Sequence, residues 1–184
     1  MRLSLRALVG AVLAAAQAAS AGGEPQVLEL EDGARIEYVL YRHAPDAHLR
    51  TPPGPLSPDS ALHAAMLLHR LLSTGDLEEA ALLSNAPRRR FEVLRDYRQE
   101  VGEEEFRRVF DLYGRASNRL VAEIAIGRHR LLVWELPTEG EAPHYAGQYF
   151  VELGGRWFLD DVPGQTRALL RRVLQAYRAG RLRP

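Results

Sequence analysis

The chain has 184 residues, and its 24 basic residues, all arginine, balance 24 aspartates and glutamates. A chain without formal net charge is a poor candidate for nucleic-acid binding, because that binding depends on neutralising phosphates. The absence of cysteine excludes disulfides, a thiol nucleophile and a lipid anchor on cysteine.

Residues 1–21 have the pattern of a secretory signal peptide. Arg2 and Arg6 give a positive start, an apolar run follows, and an Ala-Ser-Ala triplet ends at Ala21. The apolar run is too short for a membrane span of about 20 residues, and no later run is long enough. We therefore predict cleavage after Ala21, no transmembrane segment, and export to a bacterial periplasm. Cleavage leaves 163 residues (184 − 21), which suits one domain with a core of its own.

The mature chain is predicted to begin with a hairpin and an irregular linker, which together span residues 22–58. Residues 26–41 alternate apolar and polar positions around an Asp-Gly dipeptide, which is typical of tight hairpin turns. The linker contains five prolines and two histidines, His43 and His48. No third ligand lies at a recognisable metal-binding spacing, so no metal is predicted there.

Residues 59–184 are predicted to form a single α+β domain that begins with helices. A Ser-Pro dipeptide at residues 57–58 opens the first helix, because serine caps helices and proline fits their first turn. Gly75 ends that helix, and Asp76 caps the next one. The next apolar stripe predicts helical structure that is interrupted near Gly102 and ends at Gly114.

Two features of these helices have alternative interpretations. His69 lies on a helix that is apolar around most of its circumference, so it is either a packed histidine or a pocket residue. The run Arg88-Arg89-Arg90 is typical of a solvated helix start. The alternative is that these arginines form an anion-binding patch.

Residues 119–162 predict four β-strands in two hairpins. Their apolar residues alternate with period two, and Gly-Arg and Gly-Gly dipeptides supply tight turns, because glycine accepts the positive φ that such turns require. A two-residue second turn fixes the register of the second hairpin. In that register Tyr149 lies opposite Asp160, and Gln148 lies opposite Asp161.

Large apolar side chains occur on both faces of this predicted sheet, so both faces need a cover. The basic amphipathic stretch at residues 165–179 predicts a last helix that packs on the sheet. Its alternative is to lie on an anionic membrane. We expect the remaining open face, with Trp134 or Trp157, to meet a partner, and a homodimer through the sheet is the simplest partner.

The residues 71–81 read Leu-Leu-Ser-Thr-Gly-Asp-Leu-Glu-Glu-Ala-Ala. This segment resembles the early helices of the nuclear transport factor 2-like superfamily, which includes SnoaL-like cyclases and ketosteroid isomerases. The resemblance covers residues 60–162. It implies helices packed on a curved, cone-like, four-stranded antiparallel sheet, a pocket between them, and often a dimer through the sheet. It does not imply an activity, because one fold hosts enzymes and non-enzymes alike.

Two functions are consistent with the sequence. The first is a non-catalytic ligand-binding or assembly module of the periplasm, whose partner is a small ligand, an envelope protein or a second copy. The second is an isomerase- or lyase-type enzyme with Asp160 as base and Tyr149 as donor, since isomerase-type members use a pocket carboxylate beside a tyrosine or acid. These residues do not match the family's catalytic pattern one by one, so no role is carried over.

The sequence contains no serine nucleophile elbow, zinc-binding helix motif or phosphate-binding loop, and it predicts no cofactor. The side chains that the predicted fold brings toward a pocket are His69, Tyr113, Tyr145, Gln148 and Asp161.

Overall fold

A computed structural model describes residues 22–50, 55–138 and 143–182 as an α+β arrangement. The predicted signal peptide lies outside the described residues. The strands are β1 (Glu24–Glu29), β2 (Arg35–Tyr41), β3 (Arg119–Ile126), β4 (His129–Leu136), β5 (His144–Leu153) and β6 (Arg156–Leu159). The helices are α1 (Ala61–Thr74), α2 (Leu77–Leu82), α3 (Pro87–Val101), α4 (Glu103–Tyr113) and α5 (Gln165–Arg178), and a short 3-10 turn, Ala47–Leu49, lies in the linker.

The strands form one six-stranded antiparallel sheet in the order β1-β2-β3-β4-β5-β6. The prediction of a four-stranded sheet was therefore wrong in its strand number. The leading hairpin joins the sheet because β2 pairs with β3, with Leu40 opposite Ile124. Its apolar residues Ile36, Tyr38 and Leu40 alternate along β2 and share one buried cluster with Ile124, so burial favours the longer sheet.

The predicted hairpins of β3–β4 and β5–β6 are confirmed with their registers. Ile126 pairs with His129 across the first two-residue turn, and Leu153 pairs with Arg156 across the second. The ladder continues to Phe150 opposite Leu159, and the backbone N–H of Asp160 still donates to the carbonyl of Tyr149. The predicted pairing of Gln148 with Asp161 is not observed, because β6 ends at Leu159 and the N–H of Asp161 donates to the side chain of Asn85. Because side chains alternate between faces, this register decides which β5 and β6 residues meet the helices.

Helices α1 to α4 cover one face of the sheet, here called the four-helix face. The predicted ends at Gly75, Gly102 and Gly114 are confirmed, but the predicted start at residues 57–58 was wrong. Helix α1 begins at Ala61 because Ser60, in extended conformation, accepts a hydrogen bond from the backbone N–H of His63. Residues 57 and 58 lie before the helix, and the carbonyl of residue 58 instead accepts a bond from the sheet, from the backbone N–H of residue 157.

Helix α5 covers the opposite face of the sheet, here called the α5 face. Its apolar stripe is buried against β3, β4 and β5, so the predicted packing of the last helix on the sheet is confirmed. Trp157 is buried on the four-helix face, and the half-buried Trp134 packs against the same cluster. Trp157 therefore does not lie on an open face, and Trp134 is only partly covered. None of the helices among the described residues is long and apolar enough to cross a membrane.

Candidate functional site

A cavity of about 740 Å³ lies on the four-helix face, between helices α1 and α4, the linker, and strands β4 and β5. Its volume is in the range of small-molecule pockets in proteins, about 300–1,000 Å³. Most of its wall is apolar, and Met66, Leu68 and Phe110 contribute from the helices while Leu136 and Ala146 contribute from the strands. The cavity is the feature around which the candidate site is built.

The imidazole of His69 is part of the cavity wall and is held by helix α4. Its Nε2 lies 2.6 Å from the carbonyl oxygen of Phe110, so this nitrogen carries a proton and donates it, because a carbonyl can only accept. The ring packs directly on Gly114, where an added Cβ would lie 2.2 Å from its Cε1. A residue larger than glycine would displace the ring. The position of His69 therefore depends on the glycine that ends α4.

His48 enters the cavity wall from the 3-10 turn of the linker. Its Nε2 lies 3.3 Å from the carbonyl oxygen of Arg115, and its ring meets the edge of Trp134 at a centroid distance of 5.2 Å. Its Nδ1 is buried and has no hydrogen-bond partner among the residues that the structure describes. A buried, unpartnered ring nitrogen is costly, so His48 is a polar group that the fold holds beside the cavity without satisfying it.

Asn118 closes the end of helix α4 beside the cavity. Its amide nitrogen donates to the carbonyls of Leu112 and Tyr113, at 2.9 and 2.8 Å. The last carbonyls of a helix have no partner within the helix, and the Asn118 side chain satisfies two of them. This contact fixes the segment that carries Tyr113 at the cavity wall.

Gln148 projects from β5 into the cavity with a fixed amide orientation. The indole Nε1 of Trp134 donates to its Oε1 at 2.9 Å, and an indole can only donate, so the oxygen must face the tryptophan. The amide nitrogen of Gln148 has no protein partner among the residues that the structure describes. It is therefore a free donor in the cavity wall.

Arg90 of helix α3 brings a positive charge to the same cavity. The Nε of Arg90 lies 3.5 Å from Oδ2 of Asp161. This nitrogen is buried and makes no hydrogen bond within the described residues. Oδ2 of Asp161 instead accepts a hydrogen bond from the Ser84 hydroxyl at 2.7 Å. Burial lowers the pKa of the Arg90 guanidinium and nearby Arg167 lowers it further, while Asp161 opposes both effects. Since arginine titrates far above neutral pH, Arg90 stays charged and incompletely paired.

Asp160, the predicted base, lies in a separate buried cluster. Its Oδ1 accepts from the amide nitrogen of Asn85 at 2.8 Å, and its Oδ2 lies 3.2 Å from Nδ1 of His129. Its backbone N–H donates to the carbonyl of Tyr149, which continues the predicted register. Both carboxylate oxygens thus have partners, and Asp160 is not among the cavity residues. A base role for Asp160 stays a prediction without geometric support.

The remaining predicted residues are divided between the two faces. Tyr149 packs at the α5 face beneath Arg167, whose guanidinium carbon lies 5.3 Å from the ring centre, and burial raises the pKa of Tyr149. Tyr145 packs edge-to-face on Tyr177 at 5.0 Å, and burial and Glu135 raise its pKa. Neither tyrosine lines the cavity. Of the predicted pocket residues, the cavity brings together His69, Tyr113 and Gln148, with Asp161 behind Arg90.

Sequence reasoning missed His48, Asn118 and Arg90 as wall residues. Arg90 could have been predicted as a wall residue, because it lies one helical turn before the buried Leu94 and therefore on the inner side of α3. His48 was recognised only as a loop histidine, since nothing in the linker sequence places it beside Trp134. Among the described residues, no group of three or more His, Asp or Glu side chains could hold a metal ion.

Comparisons of the chain with protein-family models, with curated proteins and with solved structures gave no match. Function is therefore inferred from the cavity and the side chains that line it.

Proposed function

We propose that this protein is a non-catalytic ligand-binding protein that holds a small, largely apolar molecule in the cavity of the four-helix face. The observation that carries the proposal is a partly open cavity of about 740 Å³ with mostly apolar walls, in a chain whose α5 face is closely packed. An apolar molecule gains by leaving water for such a wall, by roughly 25 cal/mol per Å² of buried apolar surface. The few polar groups at the wall then orient it.

The proposal includes the expected cellular location and family. The basic start, apolar run and Ala-Ser-Ala triplet of residues 1–21 support export to a bacterial periplasm. Four helices that precede strands β3 to β6 of an antiparallel sheet, with a cavity between the two layers, support membership of the nuclear transport factor 2-like superfamily and a curved, cone-like sheet. The pairing of the leading hairpin with β3 is an addition to the four-stranded pattern that the resemblance implied.

The motive for assembly through the sheet was an open face with Trp134 or Trp157, and Trp157 is instead buried under the helices of the four-helix face. A homodimer stays a prediction, which a measurement of the oligomeric state in solution will test. An envelope partner also stays a prediction.

Native mass spectrometry tests ligand binding directly. The full chain is expressed in a bacterium, released from the periplasm and sprayed without refolding. We expect a species that carries the additional mass of a small molecule. A clean apo dimer would contradict the proposal and would assign function to surfaces instead.

A matched pair of variants ties the retained mass to the cavity. Ala146→Leu adds three carbons to a half-buried wall residue, so we expect it to fill the cavity and abolish the additional mass. Ala168→Leu makes the same change at an exposed position of α5 and should retain it. Equal retention by both variants would place the bound molecule elsewhere on the protein.

A further inference from the structure

We propose that the ligand is an organic acid whose carboxylate is held between the guanidinium of Arg90 and the amide nitrogen of Gln148, with its apolar body along the cavity. This inference rests on the proposed function and adds the chemical class of the ligand. It follows from the charge of the wall, the free donors there, and their position in the sheet.

The charge of the cavity wall is of one sign. Arg70 and Arg90 line it, and no aspartate or glutamate lines it among the residues that the structure describes. Arg70 is exposed and makes no ion pair within the described part of the chain. A wall with one unpaired and one incompletely paired cation, and no carboxylate among its described residues, favours an anionic ligand over a cationic one, because the low dielectric of a cavity strengthens that preference.

Arg90 and Gln148 supply a charge and a donor that the described residues do not fully satisfy. The Nε of Arg90 is buried without a hydrogen-bond partner among the described residues, and Asp161 lies at 3.5 Å, beyond the usual length of a charged hydrogen bond. The amide nitrogen of Gln148 is turned away from Trp134, because the indole occupies the amide oxygen, and Gln148 lines the cavity. A carboxylate in the cavity would accept from this amide and lie near the charge of Arg90.

The sheet register places Gln148 on the cavity side, and helix α3 brings Arg90 to the same cavity. Gln148 lies two residues before Phe150 on β5, so both side chains are on the four-helix face. Arg90 and Gln148 both line the cavity. A planar, forked guanidinium and an amide donor in one cavity are well suited to a carboxylate.

The test compares two probes that differ only in their head group, octanoate and octan-1-ol, by isothermal titration calorimetry at about pH 7.5, where the carboxylate is ionised. We expect octanoate to bind more tightly than octan-1-ol. Arg90→Met should weaken octanoate about tenfold and leave octan-1-ol unchanged, because only the acid uses the charge. Arg89→Met, at the exposed neighbouring arginine, should change neither affinity.

Asp161→Asn provides a second variant that leaves Arg90 in place. It removes the carboxylate that competes for the guanidinium, so octanoate should bind more tightly than to the unaltered protein. Equal affinities for acid and alcohol, or equal weakening of both by Arg90→Met, would overturn the head-group assignment and leave cavity binding intact. Failure of both probes to bind, with no retained mass in native spectra, would overturn the head group and the proposed function together.

Discussion

Ala146 and Gly147 are neighbours on β5, yet they meet very different surroundings on the two faces of the sheet. Ala146 is half-buried and borders the cavity of the four-helix face. A Cβ added to Gly147 would lie 2.6 Å from Cδ2 of Leu174 and 2.8 Å from Cδ1 of Leu131 on the α5 face. One face of the sheet is thus packed without space for a methyl group, while the other retains an open volume.

Asp160 and Asp161 show the same contrast at the end of β6. Asp160 is nearly inaccessible and both its oxygens have partners, whereas Asp161 is more exposed and lies beside Arg90 of the cavity wall. The difference indicates that the Asp160 cluster is fully paired, like the closely packed side chains around Gly147. The cavity wall retains open space and incompletely paired polar groups, which is typical of a binding site.

The largest effect is expected at Asp160. Asp160→Ala leaves the amide of Asn85 and the ring of His129 without their buried acceptor, so we expect a loss of about 3 kcal/mol in the free energy of unfolding. Asp161→Ala should cost about 1 kcal/mol, since that carboxylate is more exposed. Urea unfolding of both variants checks this. Equal losses would contradict the contrast between the two carboxylates.

The neighbouring residues of β5 give the next largest difference. Gly147→Val forces a branched side chain against Leu131 and Leu174, and we expect a loss of about 2 kcal/mol from overpacking. Ala146→Val, one residue away, projects into the cavity and should change stability by less than about 0.5 kcal/mol. Thermal or urea unfolding of the pair compares the two faces directly, and a larger loss for Ala146→Val would refute the assignment of the packed face.

Substitution of Asn118 tests whether this polar residue of the cavity wall stabilises the end of α4. Asn118→Ala removes both hydrogen bonds to the end of α4, and we expect a loss of about 1.5 kcal/mol. Hydrogen exchange should show the loss as faster exchange in the last turn of α4. An unchanged exchange pattern would mean that solvent replaces the side chain without cost.

The smallest effect is expected at Tyr177 on the α5 face. Burial raises the pKa of Tyr177 to about 12, from an ordinary value of 10.0. The folded protein therefore keeps this proton where the unfolded chain loses it, so its stabilising contribution is complete below about pH 10 and falls as pH rises toward 12. Tyr177→Phe should remove that part of the alkaline loss of stability.

The same variant tests the packing at neutral pH. Within the described part of the chain the buried Tyr177 hydroxyl has no hydrogen-bond partner, so its removal should leave the free energy of unfolding unchanged or raise it by up to about 1 kcal/mol. Urea unfolding at about pH 8 and about pH 11 measures both effects. A clear loss of stability at the lower pH would show that the hydroxyl has a partner.

Local patterns in the sequence were sufficient for much of the fold. Glycine turns and period-two alternation predicted the β3–β4 and β5–β6 registers, and the apolar stripe predicted α5, because these features depend on neighbouring residues. The six-stranded sheet was not predicted, because the pairing of Leu40 with Ile124 joins segments that are separated by four helices in the chain. No local pattern reports a contact at that distance along the chain.

The candidate site was predicted in part for the same reason. Gln148 follows from the alternation of side chains along β5, and His69 follows from its place on a buried helix. His48 and Asn118 come from a linker and a turn, where backbone conformation decides the direction of a side chain. The sequence alone also does not distinguish Asp160 from Asp161 as candidate site residues, because it does not show that Asn85 and His129 contact Asp160.

The central claim is that the four-helix face contains the binding site, and Met66 provides a direct probe of it. The sequence has two methionines, Met1 and Met66, and Met66 lies in the cavity wall. Methyl NMR of methionine-labelled protein, titrated with octanoate and assigned with Met66→Leu, reports occupancy of that wall. We predict a progressive shift of the Met66 resonance that saturates with the calorimetric affinity. Calorimetric binding with an unmoved Met66 resonance would place the ligand outside the cavity and contradict the claim.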